Sequence, residues 1–298
     1  MEVFVTGGAG FVGSALVDHL VELGHTVVVL TRSARARPPA YFKRVEGDPI
    51  RPGPWQDYAA RADAAVNLAG ASIVRRWTAK ARKEIRDSRV LTTRNLVQAV
   101  SREPRPGRVL LSASAVGYYG FRGDEEIDET GLPGDDFLAG VARAWEAEAL
   151  KAREAGARVG LMRFGVVLGP GGGALSRMIP LFRLGLGGRL GHGRQWFSWI
   201  HLADLVRAAA FLLEAQDASG PFNFTAPTPV TNAELTRALA RVLKRPAFLP
   251  VPAFLMRLAL GEFASTLLKG QRVVPSRLEK SKFGFLYRSI ESAVQNAV

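Results

Sequence analysis

Short, nearly continuous apolar runs alternate along the chain with longer stretches whose apolar residues recur every three or four positions. Val3–Val5, Val27–Leu30, Ala64–Leu68, Arg108–Ser112 and Ala157–Arg163 are runs of the first kind and predict strands covered on both faces. Helical spacing fills 14–24, 78–100, 136–155 and 203–215. The alternation predicts an α/β protein with a Rossmann-type doubly wound parallel sheet. Near residue 225 the texture changes. Ala226-Pro-Thr-Pro229 interrupts the pattern, Thr231 is placed to cap a helix over 232–244, and Pro246, Pro250 and Pro252 precede an apolar helix expected over 253–268. Residues 1–225 are therefore expected to form the sheet domain. Residues 226–298 are expected to form a small, mainly helical C-terminal cap over the carboxyl ends of the strands, where such folds bind ligands.

The first strand runs into Thr6-Gly-Gly-Ala-Gly-Phe-Val-Gly13, and a helical pattern follows at once. Gly8, Gly10 and Gly13 have the G-x-G-x-x-G spacing, which serves a tight turn, close backbone approach to a pyrophosphate, and close packing of helix on strand. The phosphates would rest on the free N–H groups and positive end of that helix. A second strand normally ends in an acid that takes the ribose hydroxyls of NAD, about 20 residues past the turn. Here the residues are Thr31-Arg32-Ser33. An arginine can pair bidentately with a 2′-phosphate and a serine adds a hydroxyl donor, so the expected cofactor is NADP (NADPH).

With 298 residues, 47% of them hydrophobic, the chain can bury a full core. No run of 18 apolar residues and no signal peptide is visible, so the expectation is a cytoplasmic protein with no membrane partner. Zero cysteines exclude disulfides, thiolate metal sites and a cysteine nucleophile. The net charge of +13 raises nucleic acid as a partner, but the charge is scattered and no nucleic-acid-binding motif accompanies it, so that partner is not expected. A small-molecule substrate is expected, and a homo-oligomer is left open.

Four motifs occur in order: the glycine turn, Asn67-Leu-Ala-Gly70, Ser112-Ala-Ser-Ala-Val-Gly-Tyr-Tyr-Gly120, and Phe164-Gly-Val-Val-Leu-Gly-Pro-Gly-Gly-Gly173. Together they resemble the extended short-chain dehydrogenase/reductase superfamily. Trp196-Phe-Ser-Trp-Ile-His-Leu-Ala-Asp204, Leu260-Gly-Glu262, Gln271-Arg-Val-Val-Pro275 and Phe283-Gly-Phe285 are similar to one atypical epimerase-family branch. That branch has a C-terminal domain of unknown function and is related to giant-chloroplast and cell-division-inhibitor proteins. The resemblance spans essentially the whole chain. It implies cofactor contacts at Gly7, Gly8, Gly10, Phe11, Val12, Gly13, Arg32, Ser33, Asn67, Leu68, Ala69, Gly70 and Arg89. It also implies a carbonyl compound or nucleotide sugar as substrate, and hydride transfer assisted by a Tyr-x-x-x-Lys pair.

That pair is missing. No tyrosine of the chain has lysine four positions on, and alignment on Trp145-Glu146 puts Leu138 and Ala142 at the two positions. Ser114 survives from the usual set, so the candidate catalytic residues are Ser114, Tyr118 and Arg89, the last where the superfamily usually has asparagine. Two functions follow from the resemblance: an NADP-dependent oxidoreductase or epimerase-like enzyme that works without the pair, or a non-catalytic NADPH-sensing or scaffolding protein linked to cell division. Among the remaining groups, Tyr119 is a neighbour able to approach the nicotinamide, His201 is expected to be structural, and His192 is undecided. The acidic run Asp124–Glu129 is expected to be a solvated face and not a metal site. The glycine-rich stretch 185–196 suits either a closing substrate loop or a surface loop.

Overall fold

The computed structural model describes residues 1–32 and 41–298. Seven parallel strands form the central sheet: β1 (Glu2–Thr6), β2 (Thr26–Thr31), β3 (Lys43–Glu46), β4 (Ala64–Asn67), β5 (Val109–Ala115), β6 (Arg158–Phe164) and β7 (Gly220–Phe224), in the spatial order β7-β6-β5-β4-β1-β2-β3. The direction of winding reverses between β1 and β4, which is the switch point where such sheets open a crevice. Helices α1 (Phe11–Glu22), α2 (Trp55–Arg61), α3 (Ala79–Val100), α4 (Phe137–Leu150), α5 (Leu175–Arg183) and α6 (Leu202–Glu214) connect and cover the strands.

Alternate residues of each strand enter opposite layers, as the period of two requires. Val3, Val5, Val27 and Val29 pack with Leu16 and Leu20 of α1 and with Leu205 and Leu212 of α6. Phe4, Val28 and Leu30 face the other way, onto Trp55 and onto Leu96 of α3. Phe4 stacks on Trp55 at 6.0 Å between ring centroids. The predicted doubly wound class and its five inner strands are thus present. The sequence reading missed β3 and β7, the two edges, because only Val45 of β3 is buried and β7 contains Pro221, which an edge strand tolerates.

The C-terminal region is helical: α7 (Asn232–Leu243), α8 (Ala253–Leu260), α9 (Ala264–Leu268), α10 (Ser276–Lys280) and α11 (Ile290–Ala297). Thr231 caps α7 as expected, and Glu234 completes the box by accepting the Thr231 N–H at 2.7 Å. The single helix expected over 253–268 is instead broken at Gly261, whose φ of +60° ends α8 before a short 3₁₀ turn and α9.

Two buried carboxylates fasten this region to the sheet. Asp204, at the start of α6, accepts the main-chain N–H groups of Leu286 and Tyr287 at 2.8 and 2.9 Å. Glu129 accepts those of Asn223 at 3.0 Å and Arg277 at 3.2 Å. The solvated face expected over 124–129 is therefore corrected at its end. Ile127 and Glu129 are buried, and residues 126–127 pair in parallel with 272–273. Burial raises the Glu129 pKa, and its backbone N–H donors partly offset the shift. No cluster of metal-ligating side chains occurs among the described residues.

Candidate functional site

The glycine turn stands at the switch point, and each glycine in it has its own cause. Gly7 has φ +73°, and a Cβ there would lie 2.7 Å from the Leu68 carbonyl carbon, so the loops after β1 and β4 touch. A Cβ on Gly8 would lie 2.7 Å from Val29 Cγ1, and one on Gly13 would lie 2.1 Å from the Gly7 oxygen. Those two glycines seat α1 on the sheet. Gly10 differs: the nearest atom to its Cβ position is the Gly7 oxygen at 3.3 Å, so its outer side is open. The α1 N-terminus beyond it has no side-chain cap and no acid in its first turn. An uncapped, unneutralised helix end with room above it suits an anion.

Beside this turn, a hollow of about 250 Å³ is lined by Gly8, Ser14, Asp18, Thr31, Tyr41, Phe42 and Arg44, and the Asp18 carboxylate accepts the Tyr41 hydroxyl. Arg32 is exposed and follows Thr31 directly in the chain, and Ser33 lies outside the described residues. The strand end carries no carboxylate, which fits a phosphorylated ribose better than a bare one. Of the other expected cofactor residues, Phe11 is packed under the 169–173 loop, where a Cβ on Gly172 would come within 2.3 Å of its ring. Val12 packs at the edge of the α1–α6 core layer. Asn67 is fully buried and committed: it accepts the Thr6 hydroxyl and donates to Thr93, both at 2.7 Å. Leu68, Ala69 and Gly70 continue from it along the crevice.

Arg89, on α3, reaches up to this loop. Its Nη1 donates to the Ala71 and Ile85 carbonyls at 3.0 Å each, its guanidinium lies under Gly70, and its other face meets the Trp145 ring at 5.3 Å. Burial lowers its pKa to about 10, so it remains a cation at neutral pH. Among the described residues it has no carboxylate within ion-pair distance, and a half-buried cation so placed invites an anionic or strongly polar ligand.

At the ends of β5 and β6 the sheet carries a different construction. Ser114 and Arg163 are register neighbours. The Ser114 hydroxyl donates to Glu146 Oε1 at 2.6 Å, and Arg163 grips both Glu146 oxygens at 2.8 Å. Arg163 Nη1 also donates to the Tyr119 hydroxyl at 2.9 Å, and that hydroxyl donates to Asn223 Oδ1 at 2.7 Å. Burial opposes the Arg163 charge, but the Glu146 bonds outweigh it and leave the guanidinium more basic than usual. Burial pushes the Tyr119 phenol up to about 12, against the pull of Arg163 and Asn223. Tyr119 is therefore a structural tyrosine and no base at neutral pH. Tyr118 is half-buried, with the Arg163 guanidinium carbon over its ring, 3.6 Å from the centroid. Leu138 meets the same turn, 3.6 Å from a Cβ on Gly117.

Sequence reasoning missed the Glu146–Arg163 couple. Its one signal was an arginine inside an otherwise apolar strand, which in a buried sheet demands a partner. It also missed the seam between the start of α3 and the C-terminal region, where Trp77 packs edge-on against Phe137 at 5.1 Å and tilted against Phe263 at 6.0 Å, with Arg82 paired to Glu262. His201 is structural, as expected: its Nδ1 accepts the Ala203 N–H at the α6 N-terminus, and its ring lies 3.8 Å from that of Tyr287. His192 accepts the Arg194 N–H in an exposed local turn. The 185–196 stretch is fastened to the C-terminal region: Leu190 N–H donates to Asn232 Oδ1, and the Gln195 amide donates to Leu267 O.

Sheet order, switch-point turn and uncapped helix define a dinucleotide-binding protein of the short-chain dehydrogenase/reductase type. The chain belongs to the NAD dependent epimerase/dehydratase family, which matches residues 3–224, and residues 251–297 match a domain of unknown function, DUF1731. The chain is 43% identical to the chloroplastic epimerase family protein SDR39U1 homolog of Arabidopsis thaliana, over 99% of this chain and 86% of that one. Human epimerase family protein SDR39U1 (isoform 2), crystallised with NADPH, superposes with a TM-score of 0.87 at 36% identity, covering 99% of this chain and 98% of that one. MoeE5, in complex with UDP-glucuronic acid and NAD, superposes with a TM-score of 0.82 at 26% identity, covering 100% and 97%. The branch resemblance in the motifs is borne out.

Proposed function

We propose that the chain binds NADPH across the carboxyl ends of β1, β2 and β4. We further propose that it acts on a small polar substrate, a carbonyl compound or nucleotide sugar, in the cleft beneath the C-terminal region. The carrying observation is the α1 N-terminus, uncapped and open above Gly10. When bound, NADPH supplies a hydride. The main-chain N–H groups of Phe11, Val12 and Gly13 would take the pyrophosphate, Arg32 the 2′-phosphate, and Arg89 an anionic or carbonyl oxygen of ligand or substrate. The NADPH-bound human relative and the sugar-nucleotide-bound MoeE5 support this reading.

With Leu138 and Ala142 where the proton-transferring pair is expected, the half-buried Tyr118 is the remaining phenol, while Ser114 is buried with its proton committed to Glu146. With no tyrosine–lysine pair to move the proton, turnover on simple alcohols and ketones is expected to be far below that of ordinary superfamily members. The engagement of Ser114 by Glu146 and of Tyr119 by Asn223 favours a second reading, an NADPH-sensing or scaffolding protein. Calorimetry with NADPH and NADH, followed by NADPH oxidation over a panel of carbonyl compounds and nucleotide sugars, separates the two. Tight NADPH binding with turnover supports the enzyme, and tight binding without turnover supports the sensor. Equal affinity for both cofactors overturns the cofactor assignment.

A further inference from the structure

Helix α8 is apolar yet stands mostly in solvent. Of Ala253–Leu260 only Met256 is buried, while Phe254 and Leu258 are 67% and 73% exposed and share a face with Leu255. Just before the helix, Phe248 is 75% exposed. The segment beside it adds Leu184 and Leu186, both exposed. The two segments are held together: Val251 N–H donates to Arg189 O, Gly191 N–H donates to Val251 O, and Gly188 lies so close to Leu249 that a Cβ would overlap its carbonyl. Six large apolar side chains thus form one patch of a kind that soluble chains seldom leave uncovered.

The charge around the patch has one sign. No acidic residue occurs from 171 to 203 or from 235 to 261. Arg183, Arg189, Lys244, Arg245 and Arg257 are exposed along these segments, and none is in an ion pair among the described residues. Farther along α7, Arg237 and Arg241 do reach carboxylates, Glu234 and Glu291. A second copy of this face would bring cation onto cation. Phenylalanine and leucine interleaved with unpaired arginine is instead the composition of a surface that lies in the plane of an anionic bilayer.

We propose that α8 and the adjoining 184–189 segment form a peripheral docking surface for a membrane rich in anionic lipid. The apolar side chains would enter the headgroup boundary and the arginines would contact lipid phosphates. This is lying on a membrane, not spanning one: among the described residues no helix is long and apolar enough to cross. The surface is separate from the glycine turn, so docking and cofactor binding are independent properties.

Flotation with vesicles tests the proposal on the full-length chain. It is expected to rise with vesicles of two parts phosphatidylcholine to one part phosphatidylglycerol, to stay behind with pure phosphatidylcholine, and to be released as salt increases. Replacing both Arg245 and Arg257 by Ala should weaken binding about 30-fold. Phe254→Ser with Leu258→Ser should weaken it at least about tenfold, with NADPH affinity unchanged in both variants. No flotation with the anionic vesicles at low salt, or equal flotation with both kinds, overturns the proposal without any variant. A dimer by light scattering that Phe254→Ser with Leu258→Ser dissociates also overturns it, by showing that a second copy covers the face.

Discussion

The two halves of the crevice are built on opposite principles. At the β1–β4 end, space is kept open: Gly10 has only the Gly7 oxygen near its Cβ position, α1 has no cap, and Arg89 has no carboxylate partner among the described residues. At the β5–β6 end, polar groups are bonded one to the next, from Ser114 through Glu146, Arg163, Tyr119 and Asn223. The first half holds unsatisfied groups ready for a ligand, while the second satisfies its own. A buried ion pair gains little over a well-packed apolar pair but is costly to break, so the closed half resists change one residue at a time.

Breaking one partner of the closed half should have the largest effect. Arg163→Met leaves Glu146 buried and unpaired, and denaturant unfolding should show a loss of about 3–5 kcal/mol. Adding Glu146→Met should recover most of it. If the single variant is as stable as the unmodified protein, the network does not hold this end together.

In the open half, Gly10→Val should leave the fold intact and weaken NADPH binding by at least about 100-fold, or about 2.7 kcal/mol, because its Cβ meets only the Gly7 oxygen, at 3.3 Å, and the rest of the side chain fills the space above the turn. Gly13→Val should instead fail to fold, since its Cβ has backbone within 2.1 Å. Circular dichroism beside calorimetry distinguishes the two, and retained affinity in a folded Gly10→Val protein would show that the turn is not the cradle.

Arg32→Asp sharpens the comparison further. Losing a charge-assisted pair worth about 1.5–3 kcal/mol should cut NADPH affinity roughly tenfold or more and bring NADH level with it or ahead. An unchanged preference would move the 2′-phosphate site elsewhere.

The smallest effect expected is a pH dependence at the C-terminal seam. Burial lowers the His201 pKa, opposed in part by Asp204 and Asn296. A depressed folded-state pKa means stability that is present above the ordinary value of 6.5 and lost as pH falls through the folded value. The melting temperature should therefore decline below pH 6.5, and His201→Asn should flatten that slope. A slope unaltered by the substitution would assign it to other groups.

The open half was the legible one. The turn glycines stand at a fixed spacing between a strand and a helix, so their pattern is readable even though Gly7 and Gly8 answer to the distant Leu68 and Val29, and the inner strands advertise themselves as apolar runs because both faces are covered. Glu146 and Arg163 lie 17 positions apart on a helix and a strand, and nothing local tells an observer that they meet. The edges escaped for a related reason. Lys43–Glu46 buries one side chain, so its pattern is that of a loop until β2 is seen beside it.

Asp204 and Glu129 grip the C-terminal region by main-chain N–H groups of residues 277, 286 and 287, which every amino acid except proline offers. The main-chain half of such a joint is indifferent to spelling. The side chains are not all so free: Tyr287 lies against His201, and Arg277 donates to the Pro221 carbonyl. At the exposed Leu286 any residue except proline can take the seat, while the carboxylates that hold it stay on α6 and in the turn at Glu129. For an engineer the region is a module with a partly standard socket, in which residues 277 and 287 are the keyed pins.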